Sequence, residues 1–122
     1  MNIALWISTA LVSVVFLYSG LMKSLLPRER LIAAGQRGIG MFPMPLVRLV
    51  AIAELAAVVG LSAPWLSDTA RVLTPMAALG LGGVMYGAAI SHAALREPKQ
   101  TGLVVAILAV CAFIAAGRIA QL

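Results

Sequence analysis

Charged, redox-active and metal-binding residues are scarce in this sequence, and their scarcity excludes several classes of protein. Charged residues make up 11% of the 122 residues, against about a quarter in an ordinary soluble domain. The single cysteine, Cys111, rules out an internal disulfide or a CxxC redox pair. The single histidine, His92, rules out a haem held by two histidines, and no ligand set for a metal is present. A nucleotide site is not indicated, because no glycine-rich loop follows a strand.

Hydrophobic residues are what the sequence has in excess, at 62% of the chain and a mean hydropathy of +1.05. A soluble domain of this size buries only roughly two-thirds of the surface that its unfolded chain exposes. The apolar surface that this chain cannot bury must therefore lie against lipid. A helix needs about 20 apolar residues to cross a bilayer. We therefore predict one all-α domain over residues 1–122, an integral membrane four-helix bundle with spans at about 3–22, 46–66, 72–95 and 102–119.

The segments that flank the spans carry local signals. The first apolar run has no charge before it and no small-residue cleavage site after it, so we interpret it as a span and not as a signal peptide. After this span, Ser24 is expected to cap a short helix that has Pro27 in its first turn. Gly35, Gly38 and Gly40 are then expected to end that helix.

Basic residues set the expected orientation in the membrane. The net charge is +5, but the basic residues lie at the ends of apolar runs and not along a polar face, so nucleic acid is not expected as a partner. The side that holds most of them is expected to be cytoplasmic, which places both termini outside. Trp6 and Trp65 then lie at the outer interface as an aromatic belt, and Arg118 is expected to reach the headgroups. The basic residues of the expected inner side are Lys23, Arg28, Arg30, Arg37, Arg48, Arg96 and Lys99.

Small residues form a stripe along the third span. Gly83, Gly87 and Ser91 are spaced by four, and Gly80 lies one turn before them. Such a stripe allows the backbone of another helix to approach closely, which is the main way in which helices associate in lipid. We predict a helix-packing face here. The sequence leaves open whether the partner helix belongs to this chain, to a second copy in a homo-oligomer, or to another membrane protein.

Glu54 is the most informative polar residue, because it lies inside the second span. It is roughly 12 Å from the start of that span at 1.5 Å per residue. A charged carboxylate at this depth costs several kcal/mol unless it is paired or protonated. Arg48 lies six positions earlier, on a different face of the same helix, and is a poor partner. The alternating direction of the spans brings Lys23 and His92 to the same half of the bilayer as Glu54.

This polar cluster has three interpretations. In the structural one, Glu54 pairs with Lys23 or bonds His92, and the network fixes the helix register. In the second, Glu54 and His92 hold a ligand or exchange protons, and the hydroxyl of Tyr18 or Tyr86 faces a carbonyl-bearing ligand. In the third, the cluster contacts a partner protein inside the membrane. The ligand-binding candidates are Tyr18, Lys23, Glu54, Tyr86 and His92, of which Glu54 and His92 are also catalytic candidates.

Three short motifs in this order resemble the DoxX-like family. They are YSGLMK at 18–23, AEL at 53–55, and MYGA at 85–88 followed by His92. The resemblance covers nearly the whole chain and implies a four-helix bundle in the bacterial inner membrane. It also implies an association with quinol-oxidase, thiol or oxidative-stress systems, or an accessory role. By position, Lys23, Glu54 and His92 are the matching polar residues. Direct dithiol exchange does not fit this chain, which has no cysteine pair.

These observations predict a multi-pass inner-membrane protein that binds a lipophile or quinone, or that serves as an accessory subunit of a membrane redox system. A quinone is the only cofactor candidate. One alternative is a small proton-coupled exporter, although such exporters carry their membrane glutamate in the first span, which here has no acid. The other alternative is a membrane-embedded enzyme with Glu54 and His92 as acid and base. Whether the chain is an enzyme stays open.

Overall fold

Four long helices and one short helix make up the described part of the chain, residues 2–33 and 42–122 of a computed structural model. Each long helix has 22 to 24 residues and is long and apolar enough to cross a bilayer. The described ranges contain no strand, and the predicted all-α four-helix membrane bundle is confirmed. In chain order the helices are α1 (Asn2–Leu25), α2 (Arg28–Ala33), α3 (Met44–Leu66), α4 (Leu73–Ala94) and α5 (Pro98–Ala120).

Prolines mark the starts of two long helices. The largest difference from the predicted spans is at α5, which begins at Pro98 and not near residue 102. Proline fits the first turn, because its missing N–H is one that the helix does not use. In the same way, Pro43 precedes α3 with an extended backbone and Pro45 lies in the first turn of that helix.

The connection after α1 differs from the prediction. α1 continues through Ser24 to Leu25, so the prediction that Ser24 caps the short helix is wrong. The helix ends three residues beyond the predicted end of the first span at residue 22, and Met22 in its last turn packs against the buried residues Leu31 and Val47. Pro27 precedes α2 and its carbonyl accepts the N–H groups of Arg30 and Leu31 at 3.1 Å. The predicted break at Gly35, Gly38 and Gly40 lies outside the described residues, as does Arg37.

The four long helices pack in the ring order α1–α3–α4–α5, and α1 closes the ring against α5. The apolar core lies on the axis of this ring, where side chains from all four helices meet. Its buried members are Val12, Phe16, Leu61, Ala78, Leu81, Met85, Val104, Cys111, Ile114 and Ala115.

Two glycines allow α1 to approach its neighbours. A Cβ atom on Gly20 would lie 2.8 Å from Cδ2 of Leu55 and 3.3 Å from the carbonyl oxygen of Ala51, both on α3. A Cβ atom on Gly117 of α5 would lie 2.5 Å from Cδ2 of Leu5 on α1. Close backbone approach of this kind brings helices together in lipid, where apolar surface alone gives little drive to associate.

The glycines of the predicted packing stripe on α4, unlike Gly20 and Gly117, have no described helix packed against them. Gly80, Gly83 and Gly87 are exposed, and no described atom lies within 4 Å of a Cβ built on any of them. Ser91 is buried and donates its hydroxyl to the carbonyl of Gly87 at 3.1 Å. The structure therefore does not bring the glycines of this stripe against another described helix of the same chain.

Polar side chains collect at the two ends of the bundle. The lysine end holds Lys23, Arg48 and His92, from the end of α1, the start of α3 and the end of α4. The tryptophan end holds Trp6 and Trp65 together with Arg118 of α5.

Candidate functional site

An ion pair joins α1 to α3 near the lysine end. Nζ of Lys23 lies 2.9 Å from Oε1 of Glu54. Glu54 is 0% exposed, and the side chain of Lys23 is 13% exposed. Side chains of a helix lean toward its N-terminus, and the two helices run in opposite directions, so Lys23 leans into the bundle and Glu54 leans toward the lysine end. The predicted pairing of Glu54 with Lys23 is thus present.

Arg48 also contacts this ion pair, and one carboxylate oxygen of Glu54 has no hydrogen-bond partner among the described residues. Arg48 donates from Nη1 to the carbonyl of Lys23, which is one of the carbonyls that the end of α1 leaves without a helical partner. As predicted, Arg48 does not bond Glu54. The second carboxylate oxygen of Glu54, Oε2, is buried without a hydrogen-bond partner among the described residues.

His92 has an acidic partner that sequence reasoning did not identify. Its Nδ1 lies 3.0 Å from Oε1 of Glu97, in the turn between α4 and α5. The structure therefore brings His92 to Glu97 and not to Glu54. The sequence did contain a signal for this contact, since Glu97 follows His92 by five positions and Pro98 begins the next helix directly afterwards. In so tight a connection the acid lies beside the last turn of α4, next to the histidine.

A cavity of about 250 Å³ lies between α1, α3 and α4 at the lysine end. Its wall is mostly apolar or glycine, and its polar members are Lys23, Ser91 and His92. Gly83 and Gly87 of the exposed stripe form part of the wall, so the missing side chains of the stripe contribute to the open volume. The lining residues are Lys23, Phe42, Leu46, Val47, Val50, Gly83, Val84, Gly87, Ala88, Ser91 and His92.

Three of the predicted ligand-binding residues do not line this cavity. Tyr18 and Tyr86 are 64% and 62% exposed on the outer surface of the bundle. Tyr18 lies two positions from each of the buried residues Phe16 and Gly20. Residues two positions apart in a helix point to nearly opposite faces, so Tyr18 faces outward. Glu54 is not among the lining residues either, although its partner Lys23 is.

A second buried polar residue lies at the tryptophan end. Arg118 is 1% exposed, so its guanidinium lies inside the bundle and does not extend outward as predicted. Its guanidinium carbon lies 4.7 Å from the ring centroid of Trp6 and 4.5 Å from that of Trp65. These two aromatic rings, from α1 and α3, cover the cation that sequence hydropathy placed at the surface. Nη1 of Arg118 donates to Oε1 of Gln121 at 2.8 Å.

Chemically, the lysine end offers a small apolar space with an ammonium group and an imidazole on its wall. The ammonium can donate to a carbonyl oxygen. The imidazole can accept or donate a hydrogen bond, depending on its charge.

Comparison with known proteins gives one finding. The model of the DoxX-like family matches residues 7–114. No curated protein and no solved structure matches the chain. The family match covers α3 and α4 and most of α1 and α5, and it includes Lys23, Glu54, His92 and the whole wall of the cavity. The chain is therefore a multi-pass membrane protein that belongs to the DoxX-like family.

Proposed function

We propose that this protein binds a small lipophilic molecule with hydrogen-bonding oxygens in the cavity at the lysine end, and that a quinone head group is the best-fitting class. The observation that carries the proposal is the cavity itself, which combines an apolar wall with Lys23, Ser91 and His92. Ligand sites of this kind are mostly apolar, with a few polar groups that fix the orientation of the ligand.

The size of the cavity supports a single-ring head group. The open volume is about 250 Å³, and an apolar protein cavity of roughly 150 Å³ is known to hold benzene. A substituted ring fits this space, whereas drug-sized ligands occupy sites of about 300–1,000 Å³. An isoprenoid tail would extend into lipid beside the exposed glycines of α4.

The polar groups of the wall suit both forms of a quinone. The ammonium of Lys23 has three N–H donors, and Glu54 takes one of them. When His92 is neutral and donates from Nδ1 to Glu97, its Nε2 accepts a hydrogen bond, as a quinol hydroxyl requires. When His92 is protonated, Nε2 donates to a quinone carbonyl instead.

Any redox step would involve a partner. Cys111 lies in the core of the bundle, away from the lysine end, and the chain has no cysteine pair. We therefore assign the protein a binding role, as an accessory subunit that holds the lipophile for a membrane redox protein.

The enzyme and exporter alternatives receive less support from the geometry. Glu54 lies behind Lys23 and does not line the cavity, so it is not placed as an acid or base for a ligand there. The buried carboxylate of Glu54 is already paired with Lys23, and the half-buried carboxylate of Glu97 is already bonded to His92. An exporter would also predict resistance to lipophilic cations that is lost in Glu54→Gln.

The experiment uses two positions of the same exposed stripe. Gly83 lines the cavity and Gly80 does not, and a Cβ at either position meets no described atom within 4 Å. Gly83→Leu is expected to fill the cavity and abolish binding of a short-chain ubiquinone, whereas Gly80→Leu binds as the wild type does. Binding is measured by thermal shift in mild detergent, with mass spectrometry of lipophiles that co-purify.

A Gly83→Leu protein that folds and still binds the quinone as tightly as Gly80→Leu would refute the proposal. The Glu54→Gln variant provides a second measurement. Glu54 does not line the cavity and only holds Lys23 in position, so we expect this variant to weaken quinone binding without abolishing it.

A further inference from the structure

The tryptophan end buries a cation for which the described residues supply no counter-charge. The hydrogen-bond acceptors of Arg118 are the side-chain oxygens of Gln121 at 2.8 Å and Asn2 at 3.4 Å, both neutral amides. The only carboxylate paired at this end, within the described residues, is that of Asp68, which lies 2.7 Å from Arg71. We propose that Arg118 binds an oxyanion of the phosphate class, at a site separate from the cavity of the lysine end.

One edge of the guanidinium has no acceptor. Nε and Nη2 of Arg118 are both buried without a partner in the described part of the chain. These two nitrogens form the fork that binds two oxygens of a phosphate or carboxylate in parallel. Buried donors in native proteins are almost always satisfied, and an unfilled one calls for a water or an ion. Two adjacent donors on one cation select an anion with two oxygens.

Further unpartnered groups surround the same end. Nε1 of Trp65 is a buried donor with no acceptor, and Oγ1 of Thr9 is a buried hydroxyl with no partner among the described residues. Thr9 lies one turn along α1 from Trp6, whose ring covers the guanidinium. The donors therefore come from α1, α3 and α5, and a tetrahedral oxyanion has enough oxygens to accept from more than one of them.

The charges of this end also favour an anion. The guanidinium carbons of Arg71 and Arg118 both lie 4.5 Å from the ring centroid of Trp65. Among the described side chains of this end, two arginines, Arg71 and Arg118, face one acid, Asp68, which leaves one positive charge in excess. The aromatic rings attract the cation but do not neutralise it, and a buried charge without a counter-charge is costly.

The site lies at the end of the bundle where lipid headgroups could supply a phosphate. Tryptophans at the end of membrane helices lie at the level of the lipid headgroups, so a phospholipid is one source and free phosphate is the other. The guanidinium is 1% exposed, so an anion reaches it only when side chains move. Asn2, in the exposed first turn of α1, and Gln121, after the end of α5, bond Nη1 and leave the Nε–Nη2 edge for the anion.

The test compares the full chain in uncharged detergent with and without phosphatidylglycerol, and separately with inorganic phosphate against chloride at equal ionic strength. Thermal unfolding and native mass spectrometry are the readouts. We expect one of these phosphates to raise the unfolding midpoint of the wild type. Stabilisation by phosphatidylglycerol alone identifies a lipid headgroup, and stabilisation by inorganic phosphate as well identifies a site for the free oxyanion.

Two variants assign the effect to the fork of Arg118. Arg118→Lys keeps the charge but loses the paired donors, and we expect about tenfold weaker phosphate binding, the loss typical of one charge-assisted hydrogen bond. Trp65→Phe keeps the ring and removes only the Nε1 donor, and we expect a smaller loss. Arg71→Gln is the matched control, because it removes one charge beside the same ring and leaves the fork intact.

Failure of both phosphates to stabilise the wild type would overturn the proposal. The same holds if Arg118→Lys and Trp65→Phe bind phosphate as tightly as Arg71→Gln. Quinone binding at the lysine end is expected to be unchanged in these variants, so this test and that of the proposed function fail independently.

Discussion

Glu54 and Lys23 form a pair in which the two partners have unequal access to water. Glu54 is fully buried, whereas Lys23 lies in the last turn of α1 and retains some exposure. A lysine at this position can extend its long side chain toward the headgroups when its partner is removed. The short side chain of Glu54 has no comparable route, so loss of the cation leaves a buried carboxylate.

Substitution of the two residues tests this difference. We expect Lys23→Met to destabilise the protein by about 3 kcal/mol, in the range measured when one partner of a buried ion pair is removed. Glu54→Gln is expected to destabilise it less, because the freed ammonium can reach water. The double variant is expected to recover part of the loss, which thermal unfolding in detergent measures. Additive losses in the double variant would show that the pair makes no coupled contribution.

At the scale of the element, α1 contacts both of its neighbours at glycines. It approaches α3 at Gly20 and α5 at Gly117. The glycines that the sequence pattern singled out, on α4, have open space around them instead. Spacing by four identifies a narrow helix face but does not say what covers it, since lipid and a second helix are both apolar.

Alanine substitution distinguishes the two kinds of glycine. Gly20→Ala places its methyl group against Leu55 and the backbone of Ala51, and we expect a loss of about 1–3 kcal/mol in stability from overpacking. Gly80→Ala meets no described atom, and we expect no loss or a gain of up to about 1 kcal/mol from helix propensity. Unfolding midpoints of the two purified variants provide the comparison. Equal effects would mean that the α1–α3 approach is looser than described.

For the whole molecule, the closed ring of helices separates the two polar ends by a wide apolar band. The lysine end carries the paired acid, the histidine and the cavity, and the tryptophan end carries the buried arginine. Nearly all the basic residues of the loops belong to the lysine end. By the positive-inside rule, we predict that this end faces the cytoplasm.

Cysteine labelling tests the orientation, and the buried native thiol of Cys111 gives a low background. Lys99→Cys places a thiol at the lysine end and Thr69→Cys places one at the tryptophan end, both at exposed positions. With a membrane-impermeant maleimide on intact spheroplasts, we expect Thr69→Cys to react at once and Lys99→Cys to react only after permeabilisation. The reverse pattern would invert the proposed topology.

The sequence by itself determined the class of fold, the four spans and the side of the bundle to which each polar residue belongs. These follow from hydropathy and helix length, because lipid accepts only segments whose backbone hydrogen bonds are satisfied internally. Alternation of the spans then brought Lys23, Glu54 and His92 to one half of the membrane. The cost of a lone buried charge predicted a partner for Glu54, either Lys23 or His92, and the structure decided for Lys23.

Only the tertiary structure decided which way each side chain faces. It turned Tyr18 and Tyr86 outward, brought His92 to Glu97, and covered Arg118 with two tryptophans. A helix in lipid is apolar on all sides, so its sequence carries little information about its rotation around its own axis. That rotation is fixed by packing against neighbouring helices, and one residue of difference turns a side chain by 100°. The cavity beside Gly83 and Gly87, and the unfilled donors of Arg118, are consequences of that packing.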